Sequence, residues 1–251
     1  MLAAERRDYL LARLASDGKV VAKDVAAQLG LSEDSVRRDL REMAAAGLCQ
    51  RVYGGALPAS PALADYGTRT GVEPDSKRRV AARAVQLIRP GSAVILDGGT
   101  TTLALVRALP AVLHCTVITH SPTIAAALVD HSAVEVFLLG GRLLKHSAVT
   151  CGAAAVEAAH SISADMFFLG VTGVHAVAGL TTGDADEAAM KRTLASRAAD
   201  TYVLASVEKI GAASRYQVIP LAAVAGIITD ARPNDTTRAL ANQAIPILCA
   251  Q

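Results

Sequence analysis

The chain has 251 residues, of which 52% are hydrophobic and 19% charged, and its formal net charge is +2. This composition excludes a disordered chain, and the length predicts either one large domain or one of moderate size with a small companion. The small net charge excludes a polybasic nucleic-acid coat and an acidic tail, although one face can still be basic. With 3% aromatic residues and no Trp, a stacking platform for single-stranded nucleic acid is not expected.

The cysteines and the apolar runs exclude further classes. Cys49, Cys115, Cys151 and Cys249 lie far apart and form no CxxC pair. We therefore expect free thiols, no metal site and no cofactor. The N-terminal stretch lacks the apolar core of a signal peptide, and the apolar runs are well below the roughly 18 residues of a membrane span. We expect a cytoplasmic protein with no membrane partner.

Charge density predicts two domains. Residues 1–57 carry nine basic and eight acidic side chains, whereas residues 80–251 carry twelve of each. A polar stretch between them, opened by two prolines, has little hydrophobic periodicity and predicts a linker over 58–75. Residues 76–251 then form the larger domain.

Three short helices and a hairpin are predicted in the first domain. Apolar residues four apart, Leu10 with Leu14 and Val25 with Leu29, indicate the first two helices, and a Gly follows each. The β-tending run from Leu48 to Ala56 indicates the hairpin. Two short helices around a Gly-containing turn are typical of a helix-turn-helix.

The third predicted helix carries the main functional signal. It begins at Ser32, a good N-cap residue, and its buried stripe is Val36, Leu40 and Met43. The residues off this stripe or at the helix start are types that bind phosphate oxygens and guanine edges. They are Ser32, Ser35, Arg37, Arg38 and Arg41. We predict that this face binds double-stranded DNA; the alternative is a charged face that is only solvated.

The hairpin offers further candidates. Arg51 and Tyr53 are placed to reach a phosphate or the minor groove, and Gly54 with Gly55 ends the run. The alternative is an ordinary hairpin surface.

The first domain resembles the DeoR family of bacterial transcription regulators. The segments that carry the resemblance are Glu5-Arg6, Val25-Ala-Ala-Gln-Leu29, Leu31-Ser-Glu-Asp-Ser-Val-Arg-Arg-Asp-Leu40, Gly47-Leu48 and Arg51-Val-Tyr-Gly-Gly-Ala56. Ser35 departs from the Thr that is usual in the family. The resemblance implies a winged helix-turn-helix in which the third helix recognises DNA and residues 51–55 form the wing.

The second domain alternates apolar runs with Ala-rich helical patterns. This predicts an α/β fold with a mainly parallel sheet, whose ligands bind at the carboxyl ends of the strands. The predicted strands are 94–96, 117–119, 134–139, 166–171, 202–205 and 227–229.

The best candidate for a small-molecule site follows the first of these strands and opens a helix predicted over 103–109. Glycines there let the backbone approach a ligand, and the amides and hydroxyls of a helix N-terminus bind an anion. The candidates are Asp97, Gly98, Gly99, Thr100, Thr101 and Thr102. The alternative is a tight turn with a Thr cap. The segment carries no nucleotide-binding signature.

Small or polar residues follow the other strands as well and are expected to converge on the same mouth. They are His120, Ser121, Gly140, Gly141, Gly170, Thr172, Gly173 and Lys209. Each of them alone is more simply a turn.

The resemblance to the DeoR family continues through this domain. It is carried by Lys77 with Ala81, residues 97–102, 139–141, 168–171 and 179–181, Glu187 with Lys191, and residues 209–211 and 228–230. It implies a sensor domain similar to ribose-5-phosphate isomerase that binds a phosphorylated sugar. Phosphate or polyol contacts are then implied at Asp97, Gly99, Thr100, Thr101 and Thr102, with Lys77, Glu187 and Lys209 as further candidates.

Three departures from the family pattern suggest a different ligand. His120 stands where Asn is common, and Thr172 and Ser206 each stand where Asp is usual. Two carboxylates that would bind sugar hydroxyls are thereby absent. His120 is either a source of pH dependence or a satisfied strand-end histidine.

The preferred hypothesis is a homo-oligomeric repressor, a dimer or higher, of carbohydrate-metabolism genes. One alternative is a sugar-phosphate isomerase that uses Asp184, Asp186 or Glu187, although an acidic run here also suits a helix N-terminus, and we expect no enzyme. The other is a second domain that only oligomerises, which predicts a filled, apolar mouth at residues 97–102.

Overall fold

A small helical part precedes a larger α/β part in the structure, a computed structural model that describes residues 2–233, 235–243 and 245–250. The first part contains α1 (Ala3–Asp17), β1 (Val20–Val21), α2 (Ala22–Leu29), α3 (Glu33–Ala45), β2 (Cys49–Val52) and β3 (Gly55–Pro58).

The predicted three helices and hairpin are all present in this first part. Gly18 and Gly30 end α1 and α2 in the left-handed conformation, which glycine adopts at little cost. Ser32 caps α3 by accepting a hydrogen bond from the Ser35 amide at 3.2 Å. The hairpin of β2 and β3 gains β1 as a third antiparallel strand, in the order β1-β3-β2. This is a winged helix-turn-helix.

Residues 59–73, here called the connector, join β3 to the next helix. The connector contains a 3₁₀ turn (Pro61–Leu63) and α4 (Tyr66–Thr70). Ser60 is buried and donates a hydrogen bond to the backbone oxygen of Thr172, and Ala59 forms a parallel bridge with Ala213. The start of the segment predicted as a linker is therefore packed against the larger part.

The larger part has many short elements. They are α5 (Pro74–Val85), β4 (Ala93–Leu96), α6 (Thr100–Arg107), β5 (Cys115–Thr119), α7 (Pro122–Leu128), β6 (Val134–Leu138), β7 (Arg142–Leu144), β8 (Val149–Cys151), α8 (Ala153–His160), β9 (Ala164–Gly170), β10 (Gly173–His175), β11 (Gly179–Thr182), α9 (Ala185–Ser196), β12 (Ala198–Leu204), β13 (Tyr216–Gln217), β14 (Gly226–Thr229), α10 (Asp235–Ala241) and β15 (Ile247–Cys249), with 3₁₀ turns at Val207–Lys209 and Leu221–Ala223.

The main sheet has seven strands in the order β15-β14-β12-β9-β4-β5-β6, and every pairing in it is parallel. The predicted α/β class with a mainly parallel sheet is confirmed. All six predicted strands lie in this sheet, and β15 at one edge was not predicted.

Apolar side chains cover both faces of the sheet. Along β9, Phe167 and Leu169 belong to one core and Phe168 to the other, because successive side chains point to opposite faces. This explains the continuous apolar runs of the strands. All four cysteines are free thiols; Cys49, Cys115 and Cys151 are buried as expected, whereas Cys249, on the edge strand β15, is exposed.

No helix within the described residues is long and apolar enough to cross a membrane. The same residues contain no group of three or more His, Cys, Asp and Glu side chains that could hold a metal ion.

Candidate functional site

The exposed face of α3 presents three guanidinium groups to solvent. Arg37, Arg38 and Arg41 are all exposed, whereas Val36, Leu40 and Met43 of the same helix are buried. Arg37 is held by Glu33, whose Oε1 lies 2.6 Å from Nη2. In the described part of the chain, Arg38 and Arg41 have no side-chain hydrogen bond or ion pair, so both are free to bind an external acceptor.

The wing lies beside this helix. A groove of about 130 Å³ separates them and is lined by Arg37, Leu40 and residues 51–55, which include Arg51, Tyr53, Gly54 and Gly55. Tyr53 is fully exposed at the tip. Gly55 has a steric role, because a Cβ atom there would lie 1.8 Å from the backbone oxygen of Val20.

A partly buried ion pair sets the position of α3. Arg6 on α1 donates from Nε to Asp39 Oδ2 at 2.7 Å and from Nη2 to Oδ1 at 3.0 Å. A bidentate pair has a defined geometry as well as a favourable energy. It holds the buried side of α3 against α1 and leaves the opposite side exposed.

The second candidate site is a small cavity of about 20 Å³ at the carboxyl ends of β4 and β9. Its lining residues are Ala62, Arg69, Val72, Lys77, Gly98, Gly99, Thr100, Thr101, Thr102, Gly170, Val171, Thr172, Glu187, Lys191, Glu208 and Lys209. Its position agrees with the expectation for a parallel sheet.

The N-terminus of α6 points into this cavity. The helix begins at Thr100, three residues earlier than predicted, and its first intrahelical bond runs from the Leu103 amide to the Gly99 oxygen at 2.9 Å. The amides of residues 100–102 therefore have no partner within the helix. Position 98 has no room for a side chain, because a Cβ atom at Gly98 would lie 2.1 Å from Val149 Cγ1. This end of the helix is suited to bind an anion.

Two lysines face the same helix end. Lys209 is buried and donates to Thr101 Oγ1 at 2.9 Å, and burial lowers its pKa to about 8. Lys77 is buried and donates to the Arg69 backbone oxygen at 2.5 Å, and burial lowers its pKa as well. Neither lysine forms an ion pair in the described residues, so their charge is available to a ligand.

Asp97 lies behind the cavity and does not line it. Its Oδ2 accepts from Lys191 Nζ at 2.5 Å and from the Gly170 amide at 2.8 Å. Its Oδ1 accepts from the Gly98 amide at 2.8 Å and contacts His120 Nε2 at 2.8 Å. The pKa of Asp97 is held well below its usual range, because the Lys191 charge and the His120 contact outweigh burial. Both oxygens are occupied, and the role of Asp97 in binding a ligand stays a prediction.

His120 is fully buried beneath the pocket. Its Nε2 faces Asp97, and its Nδ1 lies 2.8 Å from the backbone oxygen of Thr150. Both partners are acceptors, so both contacts are hydrogen bonds only when the ring carries two N–H groups. Both ring nitrogens have a partner, and the two interpretations of His120, a source of pH dependence or a satisfied strand-end histidine, stay predictions.

Glu187 and Lys191 form an ion pair on α9, with Nζ 3.1 Å from Oε1. Ser147 donates to the other oxygen of Glu187 at 2.9 Å. Burial favours the neutral form of Glu187, but the Lys191 charge and these hydrogen bonds leave its pKa below the usual value. With Asp97 on its other side, Lys191 is neutralised within the protein.

The structure brings together ten of the sixteen predicted effector-site residues. The cavity is lined by Lys77, Gly98, Gly99, Thr100, Thr101, Thr102, Gly170, Thr172, Glu187 and Lys209. The residues outside its lining are Asp97, His120, Ser121, Gly140, Gly141 and Gly173. Of these, Ser121 bonds to the Ala148 oxygen, and Gly173 lies against the backbone of Ala212.

Three charged lining residues were not among the predicted site residues. Lys191 follows Glu187 by four residues, a helical spacing that could have drawn attention to it. Glu208 directly precedes Lys209 in the sequence. Arg69 lies in the predicted linker, and no local signal marks it.

The other two departures from the family pattern, Thr172 and Ser206, also have defined partners. Thr172 donates to the Thr181 oxygen at 3.0 Å and lies 2.6 Å from Ser214 Oγ. Ser206 is buried and donates to Glu208 Oε1 at 2.8 Å. The other carboxylate oxygen of Glu208, Oε2, is buried and has no hydrogen-bond partner among the described residues.

A winged helix-turn-helix joined to an α/β part with a polar cavity defines a DNA-binding regulator with a sensor domain. Residues 6–61 match the model of the DeoR-like helix-turn-helix domain, and residues 72–231 match that of the DeoR C-terminal sensor domain. The chain belongs to the DeoR family of transcriptional regulators.

Named relatives agree with this assignment. The chain is 34% identical to the HTH-type transcriptional regulator GlpR of Haloferax volcanii, over 92% of this chain and 91% of that protein. It is 31% identical to the HTH-type transcriptional repressor GlcR of Bacillus subtilis, over 93% and 91% of the two chains. Among solved structures, ribose 5-phosphate isomerase A of Methanocaldococcus jannaschii aligns with a TM-score of 0.39 and 18% identity, over 52% and 51% of the chains.

Proposed function

We propose that this regulator is a repressor of carbohydrate-metabolism genes that leaves its operator when a phosphorylated sugar binds the cavity. One observation carries the proposal: Lys77 and Lys209 converge on the uncapped N-terminus of α6 inside a polar cavity. A phosphate group is the common metabolite anion that matches such a set of amides, hydroxyls and ammonium groups.

The charge balance around the cavity supports an anionic ligand. Four cations line it, Arg69, Lys77, Lys191 and Lys209, whereas three carboxylates face them, Glu187 and Glu208 in the lining and Asp97 behind it. An anion would offset this excess of positive charge. The unpartnered oxygen of Glu208 is suited to accept a hydrogen bond from a sugar hydroxyl.

The two alternative functions fit the cavity less well. An isomerase needs a free general base beside the substrate carbon. Asp184 instead caps α9 by accepting from the Glu187 amide at 2.9 Å, and Asp186 pairs with Arg142 at the surface. A domain that only oligomerises predicts an apolar mouth, whereas most of the residues that line this one are polar or charged. We therefore propose a regulator without catalytic activity.

The partner of the α3 face is proposed to be an operator in double-stranded DNA. We propose that residues 1–57 bind it, that 58–75 join the domains, and that 76–251 sense the effector and assemble a homo-oligomer. A two-fold dimer would place two α3 helices on half-sites about one helical turn, or a multiple of it, apart. Such a regulator acts in the cytoplasm, where the operator is.

The first experiment is a thermal-melt panel on the full chain. Phosphorylated sugars and polyols are compared with their unphosphorylated parents and with inorganic phosphate. A ligand at 100 times its Kd stabilises the native state by roughly 2.7 kcal/mol, which raises Tm measurably. We expect a shift from at least one phosphate ester and none from its parent.

A ligand found in this way is then added to the protein bound to DNA. Release of the DNA supports the repressor mechanism, and tighter binding contradicts it. If no phosphate ester shifts Tm, the proposed effector class is wrong. DNA binding would not be affected by that result, because it is carried by α3 and the wing.

A further inference from the structure

The connector, and not only the sensor domain, builds the wall of the cavity. Ala62, Arg69 and Val72 of the connector all line it. Ser60 is fixed to the Thr172 backbone oxygen, and Thr172 itself lines the cavity. The wing strand β3 ends at Pro58, only two residues before Ser60. The chain that leaves the wing therefore passes directly into the proposed effector site.

Arg69 is the connector's charged residue in the cavity, and its guanidinium is incompletely satisfied. One terminal nitrogen, Nη2, donates to the His146 backbone oxygen at 3.3 Å. The guanidinium carbon lies 5.8 Å from the ring centroid of Tyr66, which supports the group from one side. The Nε atom is buried and has no hydrogen-bond partner among the described residues.

An unpaired buried donor on a cation is costly. Burial accordingly lowers the pKa of Arg69, in spite of nearby carboxylates that favour the charged form. An acceptor oxygen that enters the cavity would satisfy Nε and restore the interaction that water normally provides. Arg differs from Lys here, because its planar fork can bind two oxygens of one phosphate.

We propose that Arg69 is an anion-binding residue of the cavity. We also propose that binding of a phosphate group there changes the position of the wing through the connector. This inference rests on the proposed function, because it assigns a further contact to the same ligand. Lys77 strengthens the link, since its Nζ donates to the Arg69 backbone oxygen and its side chain lines the same cavity. A ligand held by both residues fixes α4 against α5.

This arrangement gives a physical route between the two sites. A phosphate held by Arg69 and the α6 N-terminus ties the connector to the sensor domain. The allowed positions of the wing then change, because only residues 59–73 separate β3 from α5. Effector and DNA are coupled reciprocally if each favours a different position of the connector.

The test uses inorganic phosphate, the group shared by all the proposed ligands, as a probe of the full chain. Its affinity is measured by calorimetric titration for the wild type, Arg69→Gln, Arg69→Lys and Lys209→Gln. Arg83→Gln is the matched control, since Arg83 lies on α5 and bonds only to Gln86 among the described residues. We expect Arg69→Gln to weaken phosphate binding about 10- to 100-fold, the usual effect of losing a charged hydrogen bond.

Arg69→Lys keeps the charge but not the fork, so an intermediate loss is expected. Hydrogen exchange supplies a second measurement: phosphate should slow the amides of residues 60–72 in the wild type and not in Arg69→Gln. The melting temperature of each unliganded variant shows whether it is folded. If Arg69→Gln does not fold, Arg69→Lys and the wild-type exchange pattern decide the question.

The possible failures are distinguishable. If Lys209→Gln loses phosphate binding while Arg69→Gln matches Arg83→Gln, the role of Arg69 is wrong and the anion pocket stands. If phosphate binds without slowing exchange in residues 60–72, the connector does not report the ligand. If the wild type does not bind phosphate, the proposed effector class and this inference both fail.

Discussion

At the residue scale, burial divides the charged groups near the cavity into two sets. Asp97 and Lys191 are fully buried and satisfied by each other, together with His120 and Glu187. A buried ion pair contributes little net stability, but removing one partner leaves a costly unpaired charge. This set therefore shapes the floor of the site. Lys209 belongs to the other set, because it is buried with no carboxylate partner within the described residues.

Because the charge of Lys209 depends on pH, we predict that the affinity for a phosphate ester depends on pH as well. The ammonium form binds an anion, and burial lowers the pKa of Lys209 from 10.5 to about 8. Affinity for a phosphate ester should therefore fall as the pH rises from 7 to 9, by roughly tenfold when a tenth of the group remains charged. The measurement is a calorimetric titration at several pH values. Lys209→Arg should remove this dependence, and a wild-type profile that is flat over this range would contradict the assignment.

The stability of the unliganded protein should change in the opposite sense over part of this range. Between pH 8 and 10.5 the unfolded chain binds more protons at Lys209 than the native one. This group therefore makes the native state more stable as the pH rises through that window. A loss of affinity there is consequently not explained by unfolding through Lys209.

At the element scale, the wing is constrained by one close backbone approach. Gly55 begins β3 and pairs with Val21 of β1 and Val52 of β2. A side chain at this position would meet the Val20 backbone oxygen rather than a movable side chain. Since β3 continues into the connector, Gly55 lies on the strand that links the proposed DNA-binding surface to the proposed effector site.

Gly55→Ala tests this element. The added methyl group should force β1 away from β3 and destabilise the first domain by about 1–3 kcal/mol, as overpacking does. Chemical denaturation followed by circular dichroism measures the change. Gly140→Ala is the control, because a Cβ atom there has no neighbour within 4 Å. Equal stability of the two variants would show that the wing tolerates the side chain.

At the scale of the whole molecule, the two sites lie on different domains and should be separable by mutation. Arg38 is exposed on α3 and has no partner in the described structure, whereas the cavity is built from the sensor domain and the connector. Their coupling, if present, has to pass through the connector. A variant that loses DNA recognition should therefore keep its ligand.

Arg38→Ala is predicted to lose specific operator binding while keeping effector affinity. A good arginine–guanine pair discriminates between bases by roughly 1–3 kcal/mol. Footprinting on a duplex selected from a random pool by the wild type measures the specificity. Arg13→Ala serves as control, since Arg13 pairs with Asp17 on α1, away from the α3 face. Unchanged sequence discrimination by Arg38→Ala would contradict the role assigned to this face.

Local sequence patterns were sufficient to predict many of the helices and strands of this protein. The four-residue spacing of Leu10 and Leu14, and the capped start of α3 at Ser32, depend only on neighbours within one or two turns. They predict the helix-turn-helix and the side of α3 that stays exposed. The apolar strands and the proposed anion-binding turn before α6 are local features of the same kind.

The tertiary structure decided which polar groups meet. Lys191 and Asp97 are 94 positions apart in the sequence, yet their contact turns the strand-end carboxylate inward, away from the cavity. Arg69 enters the site only because the connector packs on the sensor domain. Such contacts follow from the order of the strands and the path of the chain between them, which short-range spacing does not encode. The sequence by itself thus determined the class of protein and the turn that can bind an anion, and the tertiary structure determined which charges surround that turn.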